Sequence, residues 1–130
     1  PKVLHPLASA PLLAHALRAG ATLAPAQTVV VTGHGAEMVE AALAKLDDEA
    51  VTARQTEQLG TANAVAQARP ALDGFTGDAV VLYGDTPFVS AETLERRRAE
   101  ARAFAAAQET MLDALAAELL RALDLGAADD

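Results

Sequence analysis

The sequence predicts an α/β protein with a mostly parallel sheet. Over the first 90 residues, helical patterns alternate with short apolar runs typical of strands. A helical segment therefore separates each predicted strand from the next, and crossovers of this kind are right-handed and build parallel sheets with helices on both faces. From residue 91 onward the pattern is helical only.

The first elements follow from proline, glycine and β-branched residues. Pro11 suits the first turn of a helix, which weakens at Gly20 and stops by Pro25. Residues 28–32 are β-branched throughout and predict a strand. That strand ends at the turn Gly33-His34-Gly35.

The middle of the chain continues the alternation. Residues 37–46 place apolar side chains on one helical face, and residues 50–56 form a weaker strand candidate. Thr61 can cap a helix over residues 62–68, which ends before Pro70. The apolar run 79–83 predicts a buried parallel strand.

The last third predicts one long helix that starts after Ser90 and has Gly126 as its C-cap. One stripe along this helix is apolar and consists of Phe104, Met111, Leu112, Leu115, Leu119 and Leu123. The arginines at 96–98 alternate with glutamates and indicate a solvated face. The final residues, 127–130, are expected to fray.

Composition excludes several function classes. The 130 residues carry a formal net charge of −8, which argues against nucleic-acid binding because such surfaces are basic. The absence of cysteine excludes disulfides, thiolate zinc sites and a cysteine nucleophile. No apolar stretch is long enough to span a bilayer and no signal peptide is visible, so a cytoplasmic protein without membrane contact is expected.

Asp85 follows the predicted strand at 79–83 directly. In open α/β sheets, ligands bind at the carboxyl ends of the strands. A carboxylate there can hold Mg²⁺, which prefers oxygen ligands and shares them with substrate phosphates. The alternative is that Asp85 starts a turn before Pro87.

Two polar turns offer further candidates. The segment Gln55-Thr56-Glu57-Gln58-Leu59-Gly60-Thr61 carries two carboxamides and a glycine, which suit the edge of a nucleobase such as uracil. Taken by itself, the segment is more simply explained as a polar loop with a helix cap at Thr61. The turn Gly33-His34-Gly35 could present amides to an anion, or could be a simple turn between strand and helix. His34 could act as a base, but no partner side chain is recognisable.

Four ordered blocks resemble one family. They are Lys2-Val3-Leu4-His5-Pro6-Leu7, Val31-Thr32-Gly33-His34-Gly35, Gln58-Leu59-Gly60-Thr61 and Leu82-Tyr83-Gly84-Asp85-Thr86-Pro87. Together they resemble the uridylyltransferase domain of the bifunctional bacterial N-acetylglucosamine-1-phosphate uridylyltransferase/glucosamine-1-phosphate acetyltransferase. The resemblance covers residues 1–96, which we interpret as a partial nucleotidyltransferase domain, with residues 97–130 a helical tail of uncertain origin.

The resemblance implies a Rossmann-like, three-layer fold and a Mg²⁺-dependent reaction. In it, UTP and N-acetylglucosamine 1-phosphate give UDP-N-acetylglucosamine, a cell-wall precursor, and pyrophosphate. The implied roles are phosphate contact and catalysis for Lys2, uracil and ribose binding for Gln55, Gln58, Leu59, Gly60 and Thr61, the sugar-nucleotide site for Tyr83 and Gly84, and a Mg²⁺ ligand for Asp85.

The sequence also departs from the family. The family's glycine-rich phosphate loop should precede Lys2 and is not in the printed sequence, so weak or absent turnover is expected. Ala62 and Asn63 stand where the family has Gly-His. The family's second metal ligand and its acetyltransferase domain are also missing. The alternative function is a non-catalytic module that binds nucleotide or self-associates, which makes a homo-oligomer possible.

Overall fold

The computed structural model describes the backbone of residues 1–127 and the side chains of residues 1–121. Within that range the chain forms two compact units, one covering Pro1–Leu94 and a second that begins at Glu95. The fraying expected at the end of the chain concerns residues 128–130, which lie outside the described residues.

From residue 12 to residue 67 helices and strands alternate as the sequence predicts. The helices are α1 (Leu12–Ala21), α2 (Ala36–Leu46), α3 (Thr61–Gln67) and α4 (Ala91–Ala127), and the strands are β1 (Pro6–Leu7), β2 (Ala10–Pro11), β3 (Val29–Thr32) and β4 (Val51–Arg54). Short 3₁₀ turns cover Lys2–Leu4 and Arg69–Leu72. No helix in the described range has the length and apolar character needed to cross a membrane.

The parallel pair β3–β4 is the part of the sheet that positions the site. Val29 lies opposite Val51, and Thr32 lies opposite Arg54. Helix α2 makes the crossover between the two strands, which confirms the predicted βαβ order at this point. The strands β1 and β2 form a separate antiparallel pair of two residues each.

The predicted strand at 79–83 is wrong for this structure. These residues have no strand assignment, and Val80 and Val81 are 45% and 56% exposed. The strands of the described residues pair only as β1 with β2 and β3 with β4, and none pairs with this segment. An apolar run forms a stable strand only where a neighbour completes the backbone ladder, and that condition is not visible in a local pattern.

Two predicted caps also differ. Helix α3 begins at Thr61, and its N-cap is Gly60 without a side-chain cap bond, so Thr61 is already helical. Helix α4 continues past Gly126 to Ala127, so the glycine does not end it. The predicted start of α4 is confirmed, because Ser90 Oγ accepts a hydrogen bond from the Thr93 amide at 3.1 Å.

The core of the first unit lies between α1 and α2. Leu13, Val39 and Leu43 are its buried members. Partly buried side chains around them are Val3, Leu4, Leu17, Val30 and Ala50. Val3 and Leu4, which follow Lys2 in the 3₁₀ turn, therefore attach this turn to the core. The attachment fixes the backbone on one side of the candidate site.

Five members of the apolar stripe predicted on α4 are solvent-exposed, and the sixth, Leu123, lies outside the described side chains. Exposed fractions are 66% for Phe104, 63% for Met111, 60% for Leu112, 55% for Leu115 and 57% for Leu119. Arg97 and Arg98 form ion pairs with Glu100 and Glu95 on the same helix, at 3.3 and 2.7 Å. These pairs agree with the predicted solvated face at residues 96–98.

Candidate functional site

The carboxyl ends of β3 and β4 meet at one edge of the sheet because the strands are parallel. The turn Gly33-His34-Gly35 leaves β3 there, and Gln55 leaves β4. The Gln55 amide donates a hydrogen bond to the Thr32 carbonyl at 2.7 Å, which extends the ladder one residue beyond the assigned strand. Two polar segments 20 residues apart in sequence therefore lie side by side.

Both candidate carboxamides face Gly33. A methyl group placed on Gly33 would lie 3.6 Å from Gln55 Oε1 and 3.7 Å from Gln58 Nε2. Because Gly33 has no side chain, the space next to Gln55 Oε1, an acceptor, and Gln58 Nε2, a donor, stays open. The turn after β3 and the polar loop after β4, which the sequence presents as separate candidates, form one surface.

Two acceptors hold the amide group of Gln55. Gln55 Nε2 donates to Asn63 Oδ1 at 2.9 Å and to the Gly60 carbonyl at 3.3 Å. This arrangement turns Gln55 Oε1 toward Gly33. Asn63 in the first turn of α3 and Gly60 before that helix thus determine that Gln55 presents its oxygen, an acceptor, toward Gly33.

Gly60 connects the polar loop to α3 with a backbone that needs glycine. Its φ is 92° and its ψ is −179°, a combination that side chains oppose sterically. A methyl group on it would meet nothing within 4 Å, so the requirement comes from the backbone and not from a neighbour. Leu59 beside it is 69% exposed. Thr61 is exposed as well.

Lys2 and Asp85 form an ion pair on the other side of the site. Lys2 Nζ lies 2.8 Å from Asp85 Oδ2, and the two side chains are 72% and 33% exposed. The hydrogen bond and the positive charge of Lys2 lower the pKa of the Asp85 carboxyl from its ordinary value of 3.8. Asp85 lies within a turn in which the Thr86 amide and hydroxyl both donate to the Tyr83 carbonyl.

Gly84 brings that turn against the core. A methyl group on Gly84 would approach Val3 Cγ1 to 3.2 Å and Leu13 Cδ1 to 3.8 Å, so a larger residue would push the turn outward. Because Val3 follows Lys2 and Gly84 precedes Asp85, this close approach brings the backbones of the two charged residues near each other. Tyr83 is 58% exposed.

An open cavity of about 230 Å³ extends from Lys2 to the turn after β3. Its lining residues are Pro1, Lys2, Val3, Val31, Thr32, Gly33, His34 and Val39. Lys2 and Gly33 therefore border the same space. The predicted site residues thus include the two carboxamides that face Gly33 and the ion pair of Lys2 with Asp85, and the cavity is bordered by Gly33 and by Lys2.

A cluster of three polar side chains supports the sheet edge below the site. The buried Thr32 hydroxyl donates to Glu40 Oε1 at 3.1 Å, and Arg54 binds both oxygens of Glu40 at 2.8 and 2.7 Å. The hydrogen bond from Arg54 is the main cause that lowers the pKa of Glu40 from its ordinary value of 4.5. The cluster ties the ends of β3 and β4 to α2.

Sequence reasoning missed the placement of two residues in this arrangement. The sequence offers Gly33 as part of a simple turn or of an anion site, not as a neighbour of the carboxamides, and offers Asn63 only as a departure from the family. The available signal for Asn63 is a carboxamide among the small apolar residues that open α3. Its partner, however, is eight residues earlier and across a loop, so the spacing alone does not reveal the contact.

Comparisons with known proteins identify the family of this chain. A family model described as "MobA-like NTP transferase domain" matches residues 1–124. The chain is similar to three proteins named "Bifunctional protein GlmU". In Dinoroseobacter shibae the identity is 73% over 94 residues, which is 72% of this chain and 21% of the relative. In a Ruegeria species the identity is 68% over 96 residues, which is 74% of this chain and 21% of the relative.

The third relative, from a Jannaschia species, is 63% identical over 98 residues, with 75% of this chain and 22% of the relative covered. The chain thus spans about a fifth of the length of these curated relatives. The predicted resemblance is confirmed. Because the family model covers nearly the whole sequence, this chain belongs to the MobA-like NTP transferase domain family and has an α/β nucleotidyltransferase fold.

Proposed function

We propose that this chain carries the nucleotide-recognising part of a uridylyltransferase that forms UDP-N-acetylglucosamine from UTP and N-acetylglucosamine 1-phosphate. The observation that carries the proposal is the pair of carboxamides facing Gly33 at the carboxyl edge of β3 and β4. Residues 1–96 form the partial nucleotidyltransferase domain in this proposal, of the three-layer Rossmann-like type, and residues 97–130 are a helical tail.

The carboxamide group supplies base recognition. Gln55 Oε1 is an acceptor and Gln58 Nε2 is a donor. Both would be in van der Waals contact with a methyl group placed on Gly33. The edge of uracil presents an N3–H donor beside carbonyl acceptors, which is the complementary pattern. Leu59, Gly60 and Thr61, which connect this group to α3, would lie along the uracil and ribose.

In this proposal, Lys2 and Asp85 form the part of the site that binds the phosphates of the nucleotide. The Lys2 ammonium is largely exposed and can contact phosphate oxygens, while Asp85 offers a carboxylate at the same place. The described residues hold no group of three His, Cys, Asp or Glu side chains that could bind a metal by themselves. A single carboxylate fits Mg²⁺ when the substrate's phosphates and water complete the coordination, so Asp85 would be its ligand.

The reaction needs positioning and charge neutralisation. A phosphate oxygen of the sugar phosphate attacks the α-phosphorus of UTP, the bond to the β-phosphate oxygen breaks, and pyrophosphate leaves with the bonding electrons. Bound Mg²⁺ would neutralise charge on the phosphates. Lys2 would add a cation, the carboxamides would orient the uridine, and Tyr83 and Gly84 would line the sugar side of the site.

Calorimetric titration of the 130-residue chain with UTP and with UDP-N-acetylglucosamine, in the presence of Mg²⁺, tests the proposal. We expect both to bind, with weak or absent turnover in a pyrophosphate-release assay, because the printed sequence lacks the glycine-rich phosphate loop. CTP serves as the matched control ligand. Absence of binding by either uridine nucleotide would contradict the proposal.

A second candidate function is self-association through α4. Its apolar stripe is more than half exposed at five positions: Phe104, Met111, Leu112, Leu115 and Leu119. Exposed apolar patches of this kind mark interaction surfaces. The occupant we propose is the same helix of a second copy.

The charges along α4 favour antiparallel pairing of two copies. Residues 95–102 contain four arginines and two glutamates, whereas residues 109–118 contain three acidic residues and no basic one. Antiparallel helices place the basic segment of one copy against the acidic segment of the other, and parallel helices place like charges together. Sedimentation velocity over a range of concentrations tests this: a dimer supports the candidate, and a monomer at every concentration excludes it.

A further inference from the structure

Asn63 holds the amide group of the residue proposed to read the base. It lies in the first turn of α3, and its Oδ1 accepts a hydrogen bond of 2.9 Å from Gln55 Nε2 in a part-buried position. The Gly60 carbonyl accepts a second, longer bond of 3.3 Å from the same nitrogen. Gln55 therefore has both hydrogens of its amide group directed at α3 and the residue before it.

These two acceptors fix which end of the carboxamide faces the site. A backbone carbonyl can only accept a hydrogen bond, so the Gln55 atom that meets Gly60 must be the nitrogen. Rotation of the carboxamide by half a turn would set two carbonyl oxygens against each other at Gly60. Gln55 Oε1 is consequently the atom presented toward Gly33.

The orientation matters because uracil and cytosine differ at N3. Uracil carries a hydrogen there and donates, whereas cytosine has a lone pair and accepts. A glutamine that rotates freely can pair with either base, since it offers oxygen or nitrogen as required. A glutamine held with its oxygen outward pairs with uracil and leaves an acceptor facing an acceptor with cytosine, which is costly in a desolvated contact.

We propose that Asn63 is a positioning residue that makes this site select uracil over cytosine by locking the carboxamide of Gln55. The inference rests on the proposed function, in which Gln55 reads the base. Asn63 supplies discrimination more than affinity, because in its absence only the longer bond of 3.3 Å to the Gly60 carbonyl opposes rotation of the Gln55 amide group.

The main test compares the affinities of UTP and CTP in three variants of the full 130-residue chain by calorimetry. Asn63→Leu removes the acceptor at similar size, and we expect the ratio of UTP to CTP affinity to fall by about fivefold to tenfold, the worth of one hydrogen bond. Asn63→Asp keeps an acceptor and should preserve the ratio. Gln67→Leu removes a carboxamide one turn along α3, whose side chain bonds only the Asn63 carbonyl among the contacts described, and should also preserve it.

A second measurement needs no nucleotide. The side-chain NH₂ resonances of ¹⁵N-labelled Gln55 should shift, and their hydrogens should exchange faster, in Asn63→Leu, while Asn63→Asp retains the protected signals. Backbone resonances of α3 show in the same spectrum whether each variant is folded. Unchanged Gln55 NH₂ signals in folded Asn63→Leu would overturn the inference.

The outcomes separate the inference from the function on which it rests. If the chain binds neither UTP nor UDP-N-acetylglucosamine, the proposed function is wrong and the inference is overturned with it. If UTP binds and Asn63→Leu keeps the parent ratio of UTP to CTP affinity, only the role of Asn63 is wrong. A reduced ratio together with altered Gln55 NH₂ signals supports both.

Discussion

Lys2 Nζ and Asp85 Oδ2 lie 2.8 Å apart although 83 residues separate them in sequence. Val3 and Gly84, which adjoin Lys2 and Asp85 in sequence, lie close together, since a methyl group on Gly84 would approach Val3 Cγ1 to 3.2 Å. The ammonium group of Lys2 is bound to the carboxylate that we propose as the metal ligand. In the proposed function, cation binding at Asp85 would therefore release Lys2 toward a phosphate.

The first prediction concerns this competition. Lys2→Met removes the competing ammonium, and we expect the affinity of Asp85 for Mn²⁺, used as a paramagnetic substitute for Mg²⁺, to rise by about twofold to fivefold, the range of an exposed ion pair. Asp85→Asn should abolish that binding. Electron paramagnetic resonance titration measures free Mn²⁺ directly. Lys45→Met, on α2, is the charge-matched control, and an equal rise in that variant would contradict the specific role of Lys2.

The second prediction is a pH dependence at Glu40. Bonds from Arg54 and Thr32 lower the pKa of Glu40 in the folded chain, so its stabilising contribution is fully present above the ordinary value of 4.5 and is lost as pH falls through the lowered pKa. Urea unfolding of the parent chain should show a loss of stability on acidification below pH 4.5 that Glu40→Gln reduces. Glu49→Gln, outside the cluster, should leave the acid dependence as in the parent.

The third prediction tests the core beneath Lys2. Leu43 is 2% exposed and belongs to the buried cluster with Leu13 and Val39. Leu43→Ala should lower the free energy of unfolding by about 2–5 kcal/mol through lost burial and a cavity. Leu46→Ala, three residues later and 40% exposed, is the matched control and should cost less. Equal losses in the two variants would show that α2 does not pack as described.

The fourth prediction concerns the space at Gly33. Gly33→Ala places a methyl group 3.6 Å from Gln55 Oε1 and 3.7 Å from Gln58 Nε2, an ordinary contact that the fold tolerates. The same methyl occupies the place where a base edge must approach, so UTP affinity should fall by about tenfold or more, the worth of one misplaced methyl group. Calorimetry gives the affinity, and circular dichroism confirms folding.

Gly20→Ala is the control for that variant. It adds a methyl group within α1, 3.5 Å from Leu82 Cδ1 and away from the carboxamides. UTP affinity should stay at the parent value, and the helix should be unchanged or stabilised. Parent-like UTP binding by Gly33→Ala would show that the base does not enter between Gln55 and Gln58.

The fifth prediction tests whether self-association uses the apolar stripe of α4 or another face of that helix. Leu115→Glu puts a charge in the middle of the stripe and should abolish a dimer in sedimentation velocity. Ala114→Glu adds the same charge one residue away, off the stripe, and should reduce dimerisation only slightly. Equal effects of the two variants would mean that the helix associates without using this face.

The sequence predicts the local elements well where one pattern decides them. The β-branched run before Gly33 forms β3, and the one-sided apolar pattern before Asp47 forms α2. The apolar run at 79–83 failed as a strand, because a ladder needs a partner at long range. The cap of α3 failed at Thr61 because the left-handed backbone of Gly60 already turns the chain into the helix.

The candidate site also has a part that the sequence predicts and a part that depends on contacts between segments distant in sequence. The residues themselves suggest a metal ligand at Asp85 and base recognition by the carboxamides, each beside a simpler alternative. The ordered family resemblance favours these roles and adds that of Lys2, and all of them remain proposals. That Gly33 lies against both Gln55 and Gln58 depends on the register of β3 with β4, and the bond between Asn63 and Gln55 depends on how the loop returns at Gly60. Neither relationship is contained in the residues of one segment.

Gln55 belongs to the sheet and to the recognition surface at once. Its backbone amide makes the bond of 2.7 Å to Thr32 that closes the ladder, while its side chain is held by Asn63. Opening of β3 from β4 at this point would therefore move Gln55 away from Gly33, which its carboxamide faces. Hydrogen exchange of this one backbone amide would report how often the surface that we propose to read the base comes apart.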